Sequence, residues 1–528
     1  MKPNKAGQGR FSMMEMFISA LLYVTFVSRC LYLVYKASLD KEDMLSFDLH
    51  PSWWFGRKMD DSDYEWRYWV DYYSNNLPWY LGHALLGLAI NCHLEKGRIY
   101  VNIAFSLVSL SYILGIKQLT FLICNVCLVY LTVVLTRRKA LVWAVSLMLL
   151  SLLNLQGTAT FIMKLCYPDP TGTRYMMLVY AMSICNLRLV SLGIDMIDEF
   201  DRTDNVESFY RVLAYTLYLP TFFSGPFTSY RHYITKMSVK QDTLTWTRLK
   251  WFISESFLLL LWWSLMEISL HYFYSSALQQ EEYFLVSADN MTVFGLCFVQ
   301  AALFNLKYLV LYGVPTLFAE LDGISMPPRP CCFLIKHTAS AIWRFFDVGL
   351  YNFIIQYIYK PFGGSKLGLS QQVLTMFLCF VFIGFWHGTA ANIFIWVLVN
   401  FLTMFMENMH KHLIQSRQWR NVVVQFGEDA AYRLEVLLMT PIGVVSLWSM
   451  FVFLGGRNVG FNLYKKILKN AHLELRVTVL LLSYCHIVFS RCLEDGSFLR
   501  CVRDLMRLKR RHSDANSSDI NKKSKHKH

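Results

Sequence analysis

One histidine stands where few ionisable groups are found. His387 lies in Gly384-Phe385-Trp386-His387-Gly388, near the middle of residues 367–406, forty residues without a Lys, Arg, Asp or Glu. A polar titratable group at membrane depth is costly, so its presence there is a functional hypothesis. A neutral imidazole can take up a proton at physiological pH, which suits general base chemistry. The flanking glycines let the backbone bend or approach a ligand closely. The plain alternative is a histidine packed in a helix bundle and bonded to a carbonyl. Local sequence leaves the two level.

A carboxylate tilts the balance. Asp347 sits in Ala341-Ile342-Trp343-Arg344-Phe345-Phe346-Asp347-Val348-Gly349-Leu350, otherwise aromatic and aliphatic apart from one arginine. Arg344 precedes it by three residues, so the two could pair across a helix face and leave Asp347 structural. The functional reading has Asp347 facing a cavity into which His387 also points; forty residues separate them, and spacing alone does not join them. Cys331-Cys332 follows Pro327-Pro328-Arg329-Pro330. Adjacent cysteines rarely close a relaxed disulfide, so a thiolate metal ligand, a lipidation site and an inert thiol all stay open. Pro361-Phe362-Gly363-Gly364 reads as the turn ending the helix after Asp347. Tyr218-Leu219-Pro220 and Ser224-Gly225-Pro226 break another apolar stretch, and irregular backbone there needs a cavity lined by protein or water.

The elements that must hold these groups are membrane helices. Apolar residues make up 55% of the chain and charged ones 17%, against about 25% in soluble domains. Residues 72–94, 99–116, 118–136, 140–163, 212–230, 290–306 and 436–456 carry no formal charge, and residues 367–406 suffice for two passes. Interrupted candidates lie at 15–35, 175–194, 252–274 and 477–490. A span needs about 20 apolar residues, so the expectation is an all-α polytopic membrane protein with about ten to twelve membrane segments, some re-entrant.

Charge suggests orientation. Lys2, Lys5 and Arg10 precede the first segment, favouring a cytosolic N-terminus, while residues 38–76 hold nine acids against four bases and read as lumenal. Arg137, Arg138 and Lys139 then return to the cytosolic side. Arg29 inside the first segment argues for an anchor rather than a cleaved signal. The thirteen cysteines show no paired spacing, which speaks against a disulfide framework or structural zinc. The membrane domain is expected over residues 1–494, followed by a basic tail, 495–528, disordered in its last part. No basic patch lies on a soluble domain, so nucleic acid is not an expected partner. No internal repeat points to a duplicated transporter.

The residues around Asp347, then Tyr359 through Gly364, then Trp386-His387-Gly388, resemble the membrane-bound O-acyltransferase (MBOAT) family. Asp rather than the commoner Asn at 347 is similar to the branch that acylates the N-terminal cysteine of secreted proteins. Further matching fragments, in order, are Asp63-Tyr64-Glu65-Trp66, Leu155-Gln156-Gly157, Gly225-Pro226, Lys307-Tyr308-Leu309-Val310-Leu311, Glu407-Asn408 and Phe453-Leu454-Gly455-Gly456. They extend the resemblance over roughly residues 15–490. It implies the MBOAT fold around a central cavity, in the endoplasmic-reticulum membrane. It implies palmitoyl-CoA as donor and a Hedgehog-type secreted protein with an N-terminal cysteine as acceptor. His387 and Asp347 match the catalytic positions, and Trp343, Arg344 and Asn400 are assigned to substrate binding. Cys332 matches a position where a relative holds haem b through a thiolate, the haem iron being the only metal expected.

A thioester is an activated donor, so positioning and proton transfer are the main requirements. The acceptor's α-amine has a pKa near 8 and must lose a proton to attack. Asp347 is expected to hold it, with His387 as general base or as donor to the developing oxyanion, a contribution of roughly a hundred- to ten-thousand-fold. The competing readings are an MBOAT enzyme for a serine hydroxyl or a lysophospholipid, and a non-catalytic scaffold of the same fold.

Overall fold

The computed structural model describes residues 11–52, 55–93, 97–155, 172–199, 205–239, 246–332 and 335–496. The basic tail and Gln156-Gly157 lie outside them. The first helix, α1 (Met13–Asp40), is capped by Ser12, whose hydroxyl accepts from the amide of Glu15. A short antiparallel hairpin follows, β1 (Leu49–Pro51) and β2 (Lys58–Asp60), with Leu49 opposite Asp60. Then come α2 (Tyr64–His93), α3 (Arg98–Ile113), α4 (Ile116–Thr136), α5 (Lys139–Asn154), α6 (Thr173–Glu199) and α7 (Asn205–Thr216). The middle of the chain holds α8 (Tyr230–Met237), α9 (Trp246–Tyr272), α10 (Ser275–Gln280), α11 (Glu282–Ser287) and α12 (Asn290–Leu321). Two short helices, α13 (Ala339–Phe346) and α14 (Val348–Ile354), precede α15 (Leu369–His387), α16 (Ala391–Ile414), α17 (Arg417–Phe426), α18 (Glu428–Leu463) and α19 (Leu473–Glu494).

Among the described residues nine helices are long and apolar enough to cross a bilayer: α1, α4, α6, α9, α12, α15, α16, α18 and α19. The shorter apolar helices α3 and α5 bring the segments to eleven, within the expected range. Two helices form the centre. Buried residues fill 78% of the apolar window of α6 and 72% of that of α12, against 17% in α9, whose leucines and phenylalanines face outward where lipid would lie. The uncharged run 367–406 folds as two helices joined at residues 388–390, as its length suggested.

One apolar run departs from expectation, and a second breaks where its prolines and glycine lie. Of residues 72–94, all up to His93 fall within α2, which is helical but not apolar enough to stand among the spans. Its tyrosines and tryptophans pack inward instead; Tyr72 and Tyr80 are 1% exposed and share a hydroxyl hydrogen bond of 3.0 Å. Residues 212–230 do not cross as a helix. α7 ends at Thr216, a 3-10 turn covers Leu219–Thr221, and irregular chain continues to α8 through buried Phe222, Phe223 and Phe227. The reason is the proline-glycine content, and a buried arginine supplies what the lost helix would have. Arg188 of α6 donates to the carbonyls of Tyr215 (3.1 Å), Thr216 (3.2 Å) and Thr221, and to the Thr221 hydroxyl (2.5 Å). Backbone groups freed inside a bilayer need partners of this kind.

Candidate active site

Asp347 occupies the joint between α13 and α14. Its backbone leaves the helical region (φ −117°, ψ 85°), which ends one helix and starts the next. Its Oδ1 accepts from the amide of Leu350 at 2.8 Å, an N-terminal cap for α14. Its Oδ2 accepts from the Tyr312 hydroxyl of α12 at 2.7 Å. Gly349 is required here: a Cβ at that position would lie 2.2 Å from the amide nitrogen of Phe227. The first turn of α14 therefore rests directly on the irregular 217–229 segment, fixing the height of Asp347. Arg344 forms no ion pair with Asp347; its guanidinium sits 5.7 Å from the Tyr351 ring centroid. The helix-face pairing that would have made Asp347 purely structural is absent.

His387 is the last residue of α15, and Gly388, at φ +126°, makes the turn that stops the helix. The imidazole is boxed by aromatic rings, with centroids of Trp386, Trp396 and Phe453 at 4.8, 5.2 and 5.5 Å, each nearly edge-on. Among the described residues no hydrogen-bond partner reaches its nitrogens, so the packed, carbonyl-bonded alternative does not hold. Its free surface opens into a cavity of about 480 Å³, within the usual range for small-molecule sites.

The same cavity is lined by Asp347, Tyr312, Trp343, Arg344, Asn400 and Lys411. Along α16 it runs from Trp396 to Lys411, about 22 Å at 1.5 Å per residue. His387 touches the Trp396 end, and a lysine marks the other.

Every substrate-site residue expected from sequence lies on this cavity, but Asn400 does more than line it. It is 5% exposed and fully bonded. Its Oδ1 accepts from the Trp343 indole at 3.1 Å, while its Nδ2 donates to the Trp396 carbonyl (2.8 Å) and the Ser449 hydroxyl (3.1 Å). The result is a clamp on Trp343, whose ring also lies 5.3 Å from that of Trp396.

Sequence reasoning missed three supports. Glu407, 2% exposed, accepts from the amides of Ala339 (2.5 Å) and Ser340 (3.1 Å), capping the helix that carries Trp343 and Arg344. Lys307, 6% exposed, donates to both oxygens of Asp63 (2.9 and 3.0 Å) and lies 2.8 Å from Glu65 Oε2. Tyr312 is the third. Glu407 and Lys307 carried a signal that could have flagged them: an ionisable group in an apolar helix.

Cys332 is not among the cavity-lining residues. It lies close enough to Tyr23 of α1 to interact with it electrostatically, and its neighbour Cys331 donates its amide to the Phe345 carbonyl at 2.9 Å. Among the described residues no group of three His, Cys, Asp or Glu side chains could hold a bare metal ion.

With this geometry in place, comparison with known proteins is decisive at the level of family. The model of the membrane-bound O-acyltransferase family matches residues 131–442, more than half of the chain. The chain belongs to that family. This MBOAT chain is 29% identical over 486 residues to the mouse protein-cysteine N-palmitoyltransferase HHAT, covering 89% of the chain and 96% of the relative. It is 26% identical over 489 residues to the Drosophila melanogaster protein-cysteine N-palmitoyltransferase Rasp, covering 91% and 94%. A Saccharomyces cerevisiae membrane-bound O-acyltransferase, GUP2, matches at 27% over 285 residues, 52% of the chain and 43% of the relative. The protein is thus a multi-pass membrane acyltransferase of the MBOAT family.

Proposed function

We propose that this acyltransferase moves a palmitoyl group from palmitoyl-CoA to the free α-amine of an N-terminal cysteine on a Hedgehog-type secreted protein, in the endoplasmic-reticulum membrane. The observation that carries the reading is that His387 and Asp347, forty residues apart in sequence, line one cavity. Near-full-length similarity to two protein-cysteine N-palmitoyltransferases supports the choice of acceptor.

In this reading the donor enters from the cytosolic side, with Arg344 and Lys411 offering cations to its phosphates, and the acceptor enters from the lumen. The acceptor arrives largely as an ammonium, and Asp347 receives it as a charged hydrogen-bond acceptor. Asp347 takes one proton from it and passes it on to water, which leaves a nucleophilic amine. Its nitrogen attacks the thioester carbonyl, and His387, hydrogen-bonded to none of the described residues, takes the second amine proton as the C–N bond forms. The C–S bond breaks, the thiolate of CoA leaves, and the imidazolium returns the proton to sulfur. The products are an amide and CoA. Trp343, clamped by Asn400, walls the reacting centre, and aromatic rings hold the His387 imidazole against it.

The haem expectation rests on Cys332 alone. That thiolate would be the ligand, supplying an iron–sulfur bond outside the reaction cavity, and no step of the transfer runs through it. An absorbance spectrum of the pure protein, with Cys331→Ala and Cys332→Ala beside the wild type, tests it. A Soret band lost only in Cys332→Ala supports haem there; a spectrum with no such band removes it.

The experiment for the whole reading uses purified protein, palmitoyl-CoA and a peptide beginning with cysteine, compared with its N-acetylated form. Transfer to the free peptide alone is expected. Equal transfer to the acetylated peptide would redirect the reading to a thiol or hydroxyl acceptor.

A further inference from the structure

We infer that Tyr312 is a positioning residue for the acceptor amine: its hydroxyl fixes the carboxylate of Asp347 so that one lone-pair face of that group points into the cavity. The inference rests on the proposed amine acylation and names a residue that reading does not include.

Three observations converge. Asp347 sits at a joint between two short helices, where the local backbone reaches its carboxylate only from the first turn of α14. The Leu350 amide holds only one oxygen. Tyr312 holds the other, from a different helix, at 2.7 Å. With one donor on each oxygen the plane of the carboxylate is set, and each oxygen keeps acceptor capacity for the substrate. An acceptor so fixed favours a group that brings donor hydrogens and positive charge, as an α-ammonium does.

The placement of Tyr312 is itself secured. Lys307, Tyr308 and Tyr312 follow one another along α12. Tyr308 and Tyr312 lie at i and i+4 on one face with ring centroids 5.4 Å apart. The Tyr308 hydroxyl donates to Glu65 Oε1 at 3.2 Å, and Lys307 joins Asp63 and Glu65 at the start of α2. Two fragments distant in sequence, Asp63–Glu65 and Lys307–Tyr312, thereby lock the rotation of α12 that presents the hydroxyl. Tyr312 is half-buried on the cavity wall, and its hydroxyl is spent on Asp347 rather than on the cavity.

The test is Tyr312→Phe in the full-length protein in nanodiscs, which removes one oxygen and no packing. With palmitoyl-CoA and the free-amine cysteine peptide, kcat/KM for the peptide should fall about five- to thirty-fold, the loss of a hydrogen bond to a charged group. The KM for palmitoyl-CoA should stay within twofold of wild type, and the melting temperature should not move. Unchanged peptide kinetics in a folded variant overturn the inference, and so does a parallel loss of donor binding and thermal stability, which is the mark of a merely structural tyrosine. Should Tyr312→Phe not fold, 3,5-difluorotyrosine at 312 keeps the ring and hydroxyl while sharpening the donor. A twofold or larger change in peptide kcat/KM then supports the inference, and wild-type kinetics overturn it. A wild type that acylates no amine at all removes the reading beneath it, a result distinct from an active wild type matched by an equally active Tyr312→Phe.

Discussion

Asn400 and Trp343 should behave as one unit. In Asn400→Leu the side chain keeps its bulk and loses three hydrogen bonds. Their costs differ. The Ser449 hydroxyl still donates to the Ser446 carbonyl at 2.7 Å, and the Trp396 carbonyl loses only an added donor. The Trp343 indole loses its acceptor, but it faces the cavity, where water can reach it. The penalty therefore sits near the lower end of the usual 1–3 kcal/mol, and about 1–2 kcal/mol is expected in all. Trp343→Phe strands the buried Asn400 Oδ1 for a similar cost. Because one bond joins them, the double variant should cost little more than the worse single, a coupling of about 1 kcal/mol. In peptide acylation each single variant should lower kcat/KM about five- to thirty-fold, and the double variant should match rather than multiply them. Strictly additive losses would refute the clamp, as would an Asn400→Leu enzyme with wild-type kinetics.

Three other variants follow from the same geometry. His387→Ala should fold and bind palmitoyl-CoA normally while transfer drops about a hundred- to ten-thousand-fold; wild-type turnover would remove the imidazole from the chemistry. Glu407→Ala should leave the buried Ala339 amide and the half-buried Ser340 amide without acceptors, costing about 2–4 kcal/mol. Membrane enzymes often unfold irreversibly, so the loss is best read as a shorter half-life at fixed temperature, and an unchanged half-life would contradict the cap. Lys307→Met should strand Asp63 and Glu65, with about 3–5 kcal/mol lost as for a broken buried pair; a variant as heat-stable as wild type would show that the pair contributes little.

What could be read from the sequence was whatever depends on local composition. The break at residues 388–390 was visible because forty uncharged residues exceed one crossing, and a glycine beside His387 marked the stop. Asp347 and His387 stood out because ionisable groups in apolar surroundings are rare. That both line one cavity was not visible, since Asp347 is placed by Gly349 resting on Phe227 and by α12 passing behind it, contacts between distant segments that no spacing encodes. Residues 212–230 were legible in part: their prolines and glycine announced a broken backbone, but Arg188, on another helix, which donates to that backbone and lets it stay buried, was not foreseeable. Asn400 lines the cavity, yet its grip on Trp343 depends on which way an amide turns inside a packed bundle.

The central claim is that a fatty thioester meets a free amine between His387 and Asp347. A structure of the protein with a non-hydrolysable palmitoyl-CoA analogue and a cysteine-initiated peptide tests it most directly. The acyl carbonyl is predicted within hydrogen-bond reach of the His387 imidazole, with the peptide amine on the Asp347 carboxylate. An acyl group lodged elsewhere, or an amine held away from Asp347, would contradict it.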